Sequence, residues 1–250
     1  MISREWGGLV DELDRWGEAG RVAALWWRDD DAVTATSQLA DLLRVGSDVP
    51  IALAVIPALA RPELAAALKA RADIAVLQHG WQHADRAVDG RKSEFPAGRP
   101  AGRVAAEIAA GQARLKAMFG GRARPLLVPP WNRIADAFLA LLPAAGIAGL
   151  SVMASRPDSA CASSCITRLN VHVDLVAWRA GRGFIGEAPA LQGLVQCLAA
   201  GRHEATAPPV GILTHHRVMD PPATAFLDRL ASIVRDHPAA RWVGPSEMLQ

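Results

Sequence analysis

In the stretch Asp73-Ile74-Ala75-Val76-Leu77-Gln78-His79-Gly80-Trp81-Gln82-His83 an apolar run gives way to two histidines four residues apart. The run Asp73–Leu77 reads as a strand buried on both faces, as in a parallel sheet covered by helices. Two imidazoles at this spacing can reach one metal ion from a helical turn or a tight loop. Taken alone, the spacing suits surface loop residues better. Its surroundings decide between the two. Upstream, the apolar run Val22–Trp27 leads into Arg28 and three consecutive acids, Asp29, Asp30 and Asp31. Downstream, Val210–Leu213 leads into Thr214-His215-His216. Carboxylates, an imidazole pair and a further imidazole, each just past a strand, are the ingredients of metal-assisted hydrolysis.

The alternation of strand and helix extends along the whole chain. Further strands are expected at Pro50–Ile56, Pro125–Val128, Ala148–Met153, Leu169–Val173 and Trp242–Val243. Helices are expected after Ser3, at Thr36–Val45, from Pro62 to about Arg71, and at Arg103–Phe119, Ile134–Ala145, Ala188–Ala200 and Ala223–Arg235. The first, with Trp6, Leu9, Val10, Leu13 and Trp16 on one face, reads as an amphipathic helix within residues 1–20 packed on a larger body. Short apolar strands separated by amphipathic helices predict an α/β fold with parallel strands, in a single domain over 1–250. Acids, histidines and the segment Pro129-Pro130-Trp131 follow the ends of five different strands. That favours a barrel, whose sites lie at the C-terminal strand ends, over a doubly wound sheet with one switch point. Ala84–Gly102 is a long polar connection, a length usually reserved for function.

Composition narrows the partners. The 250 residues carry 27 basic and 25 acidic side chains, a net charge of +2. This gives no reason to expect nucleic acid or an anionic membrane as the main partner. The three cysteines, Cys161, Cys165 and Cys197, do not make a disulfide framework and read as free thiols. No secretory apolar region and no run long enough to span a bilayer is present, so a cytoplasmic location is expected.

Five short segments, in order, resemble the motifs of the polysaccharide deacetylase superfamily, carbohydrate esterase family four. Arg28-Asp29-Asp30-Asp31-Ala32 is similar to its Thr-Phe-Asp-Asp-Gly motif, and His79 and His83 to its His-x-x-x-His. Val128-Pro129-Pro130-Trp131 is similar to Arg-x-Pro-Tyr/Trp, Asp174 and Trp178 to the fourth motif, and Leu213-Thr214-His215 to Leu-x-His. The resemblance covers residues 22–216. It implies a distorted (β/α) barrel with about seven parallel strands and a metal-dependent amide hydrolase, an N-deacetylase of acetamido sugars or related small polar substrates. The implied metal ligands are Asp31, His79 and His83, holding a divalent ion, zinc first and cobalt or nickel as alternatives. Asp30 is the implied general base and His215 the acid that protonates the leaving amine. Pro130, Trp131, Asp174, Trp178 and Leu213 are the implied lining of the substrate pocket.

The chain departs from the family pattern in three places. Val128 stands where the family has arginine, with Arg28 and Arg133 the nearest replacements. His216 stands where the family often has aspartate. Three acids replace two, so the register is open. Aligning Ala32 with the motif glycine makes Asp30 the base and Asp31 the ligand, whereas a shift by one gives those roles to Asp29 and Asp30. The lost arginine also leaves open a non-catalytic carbohydrate-binding or regulatory protein on the same barrel. Trp26, Trp27 and His172 read as core or rim residues, and His203 and His237 as helix-end residues.

Overall fold

The computed structural model describes residues 4–154 and 166–249. In chain order its helices and strands are α1 (Arg4–Glu18), β1 (Ala23–Ala32), α2 (Ser37–Val45), β2 (Ile51–Val55), α3 (Pro62–Leu68), β3 (Ala75–His79), α4 (Ala101–Phe119), β4 (Ala123–Val128), β5 (Gly149–Leu150), β6 (Thr167–Arg168), β7 (Val173–Asp174), α5 (Glu187–Gly201), β8 (Val210–Thr214), α6 (Pro221–Asp236), β9 (Ala240–Trp242) and α7 (Pro245–Met248). The chain divides into two compact units. One comprises Met1–Asp29, Thr36–Ile51 and Val171–Gly244, and the other Asp30–Ala35, Ala52–Asn170 and Pro245–Gln250.

In the first unit β1 pairs in parallel with β8, from Leu25 opposite Val210 to Asp29 opposite Thr214. Strand β9 joins β1, with Ala23 opposite Ala240, and β7 joins β8, with Asp174 opposite Leu213. Helix α1 buries Trp6, Leu9, Leu13 and Trp16 and packs on α5, where the Trp16 indole donates to the Leu198 carbonyl at 3.2 Å. Val10, expected on the same face, is half-buried. Glu12 is buried between Arg15 at 3.1 Å and Arg202 at 2.9 Å, so its charge is compensated on both oxygens. Thr36 caps α2 through the Leu39 N–H, and Asp220 caps α6 through the Ala223 N–H.

In the second unit β2, β3, β4, β5 and β6 pair in parallel in that order. Helix α4 packs on β3 and β4. Phe95, Val104, Ile108, Leu127, Phe138, Leu142 and Leu150 belong to one buried cluster. Phe95 comes from the long connection between β3 and α4, so part of that connection is pinned into the core. Gln78 is fully buried on β3, and its Nε2 donates to the carbonyls of Gly80 and Ile108, both at 3.0 Å. The bond to α4 needs a glycine beside it, because a Cβ on Gly111 would lie 2.2 Å from Gln78 Nε2.

Several element boundaries differ from the sequence expectation. The first strand does not end at Trp27 but runs to Ala32, taking all three acids with it. It can do so because Asp29 finds donors on β8 at the opposing register position. The strand expected at Ala148–Met153 is only Gly149–Leu150, since Asn170 Oδ1 takes the Val152 N–H at 3.1 Å. The strand expected at Leu169–Val173 is replaced by Thr167–Arg168 and Val173–Asp174. Ile134–Ala145 is not an α-helix but carries a 3-10 helix at Asp136–Leu141. Pro143 has no N–H to return to Leu139, and the Leu142 N–H makes the shorter bond to Leu139 at 3.3 Å instead. Cys161 and Cys165 lie outside the described residues, and Cys197 is half-buried on α5. Among the described residues, no helix is long and apolar enough to cross a membrane.

Candidate functional site

His79 is the last residue of β3, and the turn that follows returns His83 to the same place. Both Nε2 atoms lie against one oxygen, Asp31 Oδ1, at 3.1 Å for His79 and 3.3 Å for His83. One ligand atom from each of these three residues falls within 4.8 Å of the others. Ligands about 2.0–2.1 Å from one tetrahedral zinc ion are separated by roughly 3.3 Å, so the donor set fits such an ion in type and spacing.

The tautomer of His79 points the same way. Its Nδ1 lies 3.0 Å from the Val128 carbonyl, which can only accept, so Nδ1 carries the proton. Nε2 then faces a carboxylate oxygen, a pairing that a cation or a second proton between them makes favourable. A histidine whose far nitrogen is anchored to a backbone carbonyl is the usual support of a metal ligand. Val128, where the family motif has arginine, therefore serves the site through its backbone. The same carbonyl accepts the Gly80 N–H at 3.0 Å. For His83, burial and then the neighbouring His79 hold the imidazole pKa below its ordinary 6.5, with Asp31 opposing. That keeps the ring neutral, as a ligand must be.

The backbone here is unusual. Asp31 (φ 70°), His83 (φ 57°), Trp131 (φ 56°) and Asn132 (φ 57°) all adopt left-handed conformations. Only Arg182 does so elsewhere among the described non-glycine residues. Such conformations concentrate at functional sites because the surrounding structure must impose them. Trp131 packs on the His83 ring with centroids 4.4 Å apart, and Lys92 lies 6.0 Å over the Trp131 ring. Pro130 is buried at the start of the 3-10 turn Pro130–Asn132.

Glu94 has no counterpart in the sequence expectations. Its buried carboxylate accepts the Trp81 N–H at 3.0 Å and the Gln82 N–H at 2.8 Å. No spacing rule links it to the histidines. The one available signal was its place in a connection too long to be idle.

The remaining expected residues fall as follows. Asp30 is 2% exposed near the end of β1. Asp29, the alternative in the open register, is fully buried and engaged elsewhere. It accepts Thr214 Oγ1 at 2.6 Å, the His216 N–H at 2.9 Å and His216 Nδ1 at 2.5 Å. His215 is 9% exposed, the Trp178 ring meets it edge-on at 4.7 Å, and its Nδ1 has no hydrogen-bond partner among the described residues. Trp178, 43% exposed, donates its indole N–H to Asp174 Oδ2 at 2.7 Å. Leu213 is buried in β8 opposite Asp174. The fourth and fifth motifs are thus gathered in the first unit, and Asp31, His79, His83, Pro130 and Trp131 in the second. Of the two arginines considered for the missing one, Arg28 is fully buried and Arg133 donates to the Lys92 carbonyl at 3.0 Å. Trp26 and Trp27 are core residues, and His172 Nδ1 accepts the Gly211 N–H at 2.9 Å. His237 caps the end of α6 and lies 3.2 Å from Asp14.

No known family profile and no curated protein matches this sequence. Solved structures do match. A protein from Mycobacterium smegmatis assigned to the polysaccharide deacetylases aligns with a TM-score of 0.65 at 17% identity, over 92% of this chain and 90% of that one. A family 4 acetyl xylan esterase from Clostridium thermocellum, in complex with a cobalt ion, aligns with a TM-score of 0.56 at 13% identity, over 90% and 89%. A family 4 carbohydrate esterase from Streptomyces lividans, in complex with acetate, gives 0.54 at 16% identity, over 91% and 95%. At these identities the likeness establishes the fold. It is that of the polysaccharide deacetylases, the family whose motifs the sequence resembles.

Proposed function

We propose that this chain is a metal-dependent amide hydrolase, an N-deacetylase that removes acetyl from an acetamido sugar or a related small polar substrate. The observation that carries the reading is the convergence of both imidazoles on one Asp31 oxygen. Asp31, His79 and His83 would hold a divalent ion, zinc by preference and cobalt or nickel as alternatives, with positions left open as in catalytic centres. When bound, the ion supplies Lewis acidity toward the acyl oxygen and acidifies water. Asp30, next to Asp31 in the chain, accepts the proton of the attacking water. His215 gives a proton to the departing amine, a role supported by its place in the fifth motif and by a ring that Trp178 holds edge-on. Trp131 and Pro130 bound the acyl group. Asp174 orients the Trp178 indole, and Leu213 contributes apolar surface beside it.

The deciding experiment is metal content and acetate release together, on protein purified without a histidine tag. About one equivalent of divalent transition metal is expected, lost in His79→Ala, with acetate released from chitooligosaccharides. No uptake after incubation with zinc or cobalt would sink the reading. Asp30→Asn is expected to lower kcat by about 10²–10⁴ while the metal stays bound. The second reading, a non-catalytic saccharide-binding protein, is favoured by valine in place of the third-motif arginine. It requires saccharide binding that Asp30→Asn leaves intact, and no turnover in the unaltered chain.

The depressed pKa of His83 gives a pH expectation. At His83 a proton competes with the metal chiefly below the folded-state pKa, which is held under 6.5 by burial and then by His79. A proton should therefore compete with cobalt for His83 at a lower pH than it would for an ordinary imidazole, with the loss of affinity falling mainly below about pH 6.5. An affinity already falling steeply between about pH 8 and about pH 7 would show that another group controls the site.

A further inference from the structure

We propose that Glu94 is the positioning residue of the histidine turn. Its carboxylate fixes the backbone between His79 and His83 so that both imidazoles converge on Asp31. The inference rests on the metal reading above and adds to it a residue outside the five motifs.

The argument begins with the turn itself. Gly80 (φ 58°) starts it in the left-handed region, and the N–H groups of Trp81 and Gln82 then point the same way. Successive N–H groups of this kind form a small anion-binding concavity. Glu94 fills it with one oxygen per N–H, Oε2 at 3.0 Å from Trp81 N and Oε1 at 2.8 Å from Gln82 N. The approach is so close that a Cβ on Gly80 would lie 2.0 Å from Glu94 Oε2. Only three residues separate the two histidines, so a small rotation of the turn would carry one ring away from Asp31.

The clamp is itself held. Glu94 is 1% exposed, and its own carbonyl accepts the Arg99 guanidinium at 2.9 Å. Arg99 in turn reaches both oxygens of Glu107 on α4 at 2.8 Å. Phe95, the next residue, is fully buried in the core. The connection between β3 and α4 thus transmits the rigidity of α4 to the ligand turn. Outer-shell partners that orient metal ligands are typically worth ten- to hundredfold in metal affinity, and Glu94 would act at one remove, through the turn that carries both rings.

The test is a cobalt titration of the full, metal-free chain, followed by visible absorption, with melting temperature recorded for each variant. Glu94→Ala is expected to raise the cobalt Kd about ten- to hundredfold and to shift the cobalt absorption bands. Glu94→Gln should raise it by less, because its single oxygen can accept one of the two N–H groups. If Glu94→Ala fails to fold, Glu94→Gln decides the matter. Ser93→Ala is the control. Ser93, in the same connection, donates its hydroxyl to the Arg133 carbonyl and accepts the Phe95 N–H, and its side chain makes neither of the hydrogen bonds to the turn. It should lower the melting temperature and leave the cobalt Kd within about twofold of the unaltered protein. A Glu94→Gln protein with the Kd and spectrum of the unaltered chain, destabilised or not, overturns the proposal. An unaltered chain that takes up no cobalt overturns the metal reading and this proposal together.

Discussion

Gly80→Ala is expected to lower the melting temperature by roughly 5–15 °C and to abolish measurable metal binding. Two effects add. Gly80 has φ 58°, where an L side chain costs about 1–2 kcal/mol. The new methyl would also lie 2.6 Å and 2.7 Å from Pro130 ring carbons and 2.0 Å from Glu94 Oε2. Neither neighbour can yield cheaply. Pro130 is a buried ring inside a strained turn, and Glu94 is buried with both oxygens bonded. Overpacking of this kind costs about 1–3 kcal/mol more. The turn must then move, and with it the two ligand rings. Thermal melting of the metal-free protein and a cobalt titration measure the two parts separately. A melting temperature within about 2 °C of the unaltered chain would show that the turn has slack.

This constraint marks the boundary of what the sequence discloses. The apolar runs before His79, before Thr214 and into Asp29 were legible because parallel strands buried on both faces need uniformly apolar segments. The histidine pair and the acids could be placed at strand ends for the same reason. Hydrophobic pattern could not show that β1 continues through its acids, because the pattern scores Asp29 as exposed. Its burial depends on donors nearly two hundred positions away in sequence. The left-handed conformations at Asp31, His83, Trp131 and Asn132 were equally hidden, since none of these residue types announces a positive φ as glycine does. Glu94 meets the turn through tertiary contact alone. The open register among the three acids is a different case. Regular alternation would put Asp29 and Asp31 on one face, but the left-handed backbone at Asp31 (φ 70°) breaks it and the two acids have different neighbours. Asp31 lies with the histidines, and Asp29 lies with Thr214 and His216.

The pairing of Asp29 with His216 leads to the second large effect. Asp29→Ala is expected to destabilise the chain by about 3–5 kcal/mol, roughly 6–20 °C in melting temperature. The carboxylate is fully buried and accepts three donors, Thr214 Oγ1, the His216 N–H and His216 Nδ1. The Thr214 hydroxyl is in turn oriented by the Trp27 indole N–H at 2.8 Å, so the network spans neighbouring strands β1 and β8. Removing the acid strands several buried donors at once, and a stranded donor costs about 1–3 kcal/mol. Asn at position 29 keeps the shape and one acceptor oxygen, but its amide group can only donate, so Asp29→Asn should fall between the two. A double-mutant cycle with His216→Ala separates the pair from the rest. Coupling of about 1–3 kcal/mol is expected, because residues sharing one buried network are not additive. Strict additivity of Asp29→Asn and His216→Ala would mean that Thr214, rather than His216, is the partner that holds Asp29 in place. The network would then anchor the strand without involving the position where the family pattern has aspartate.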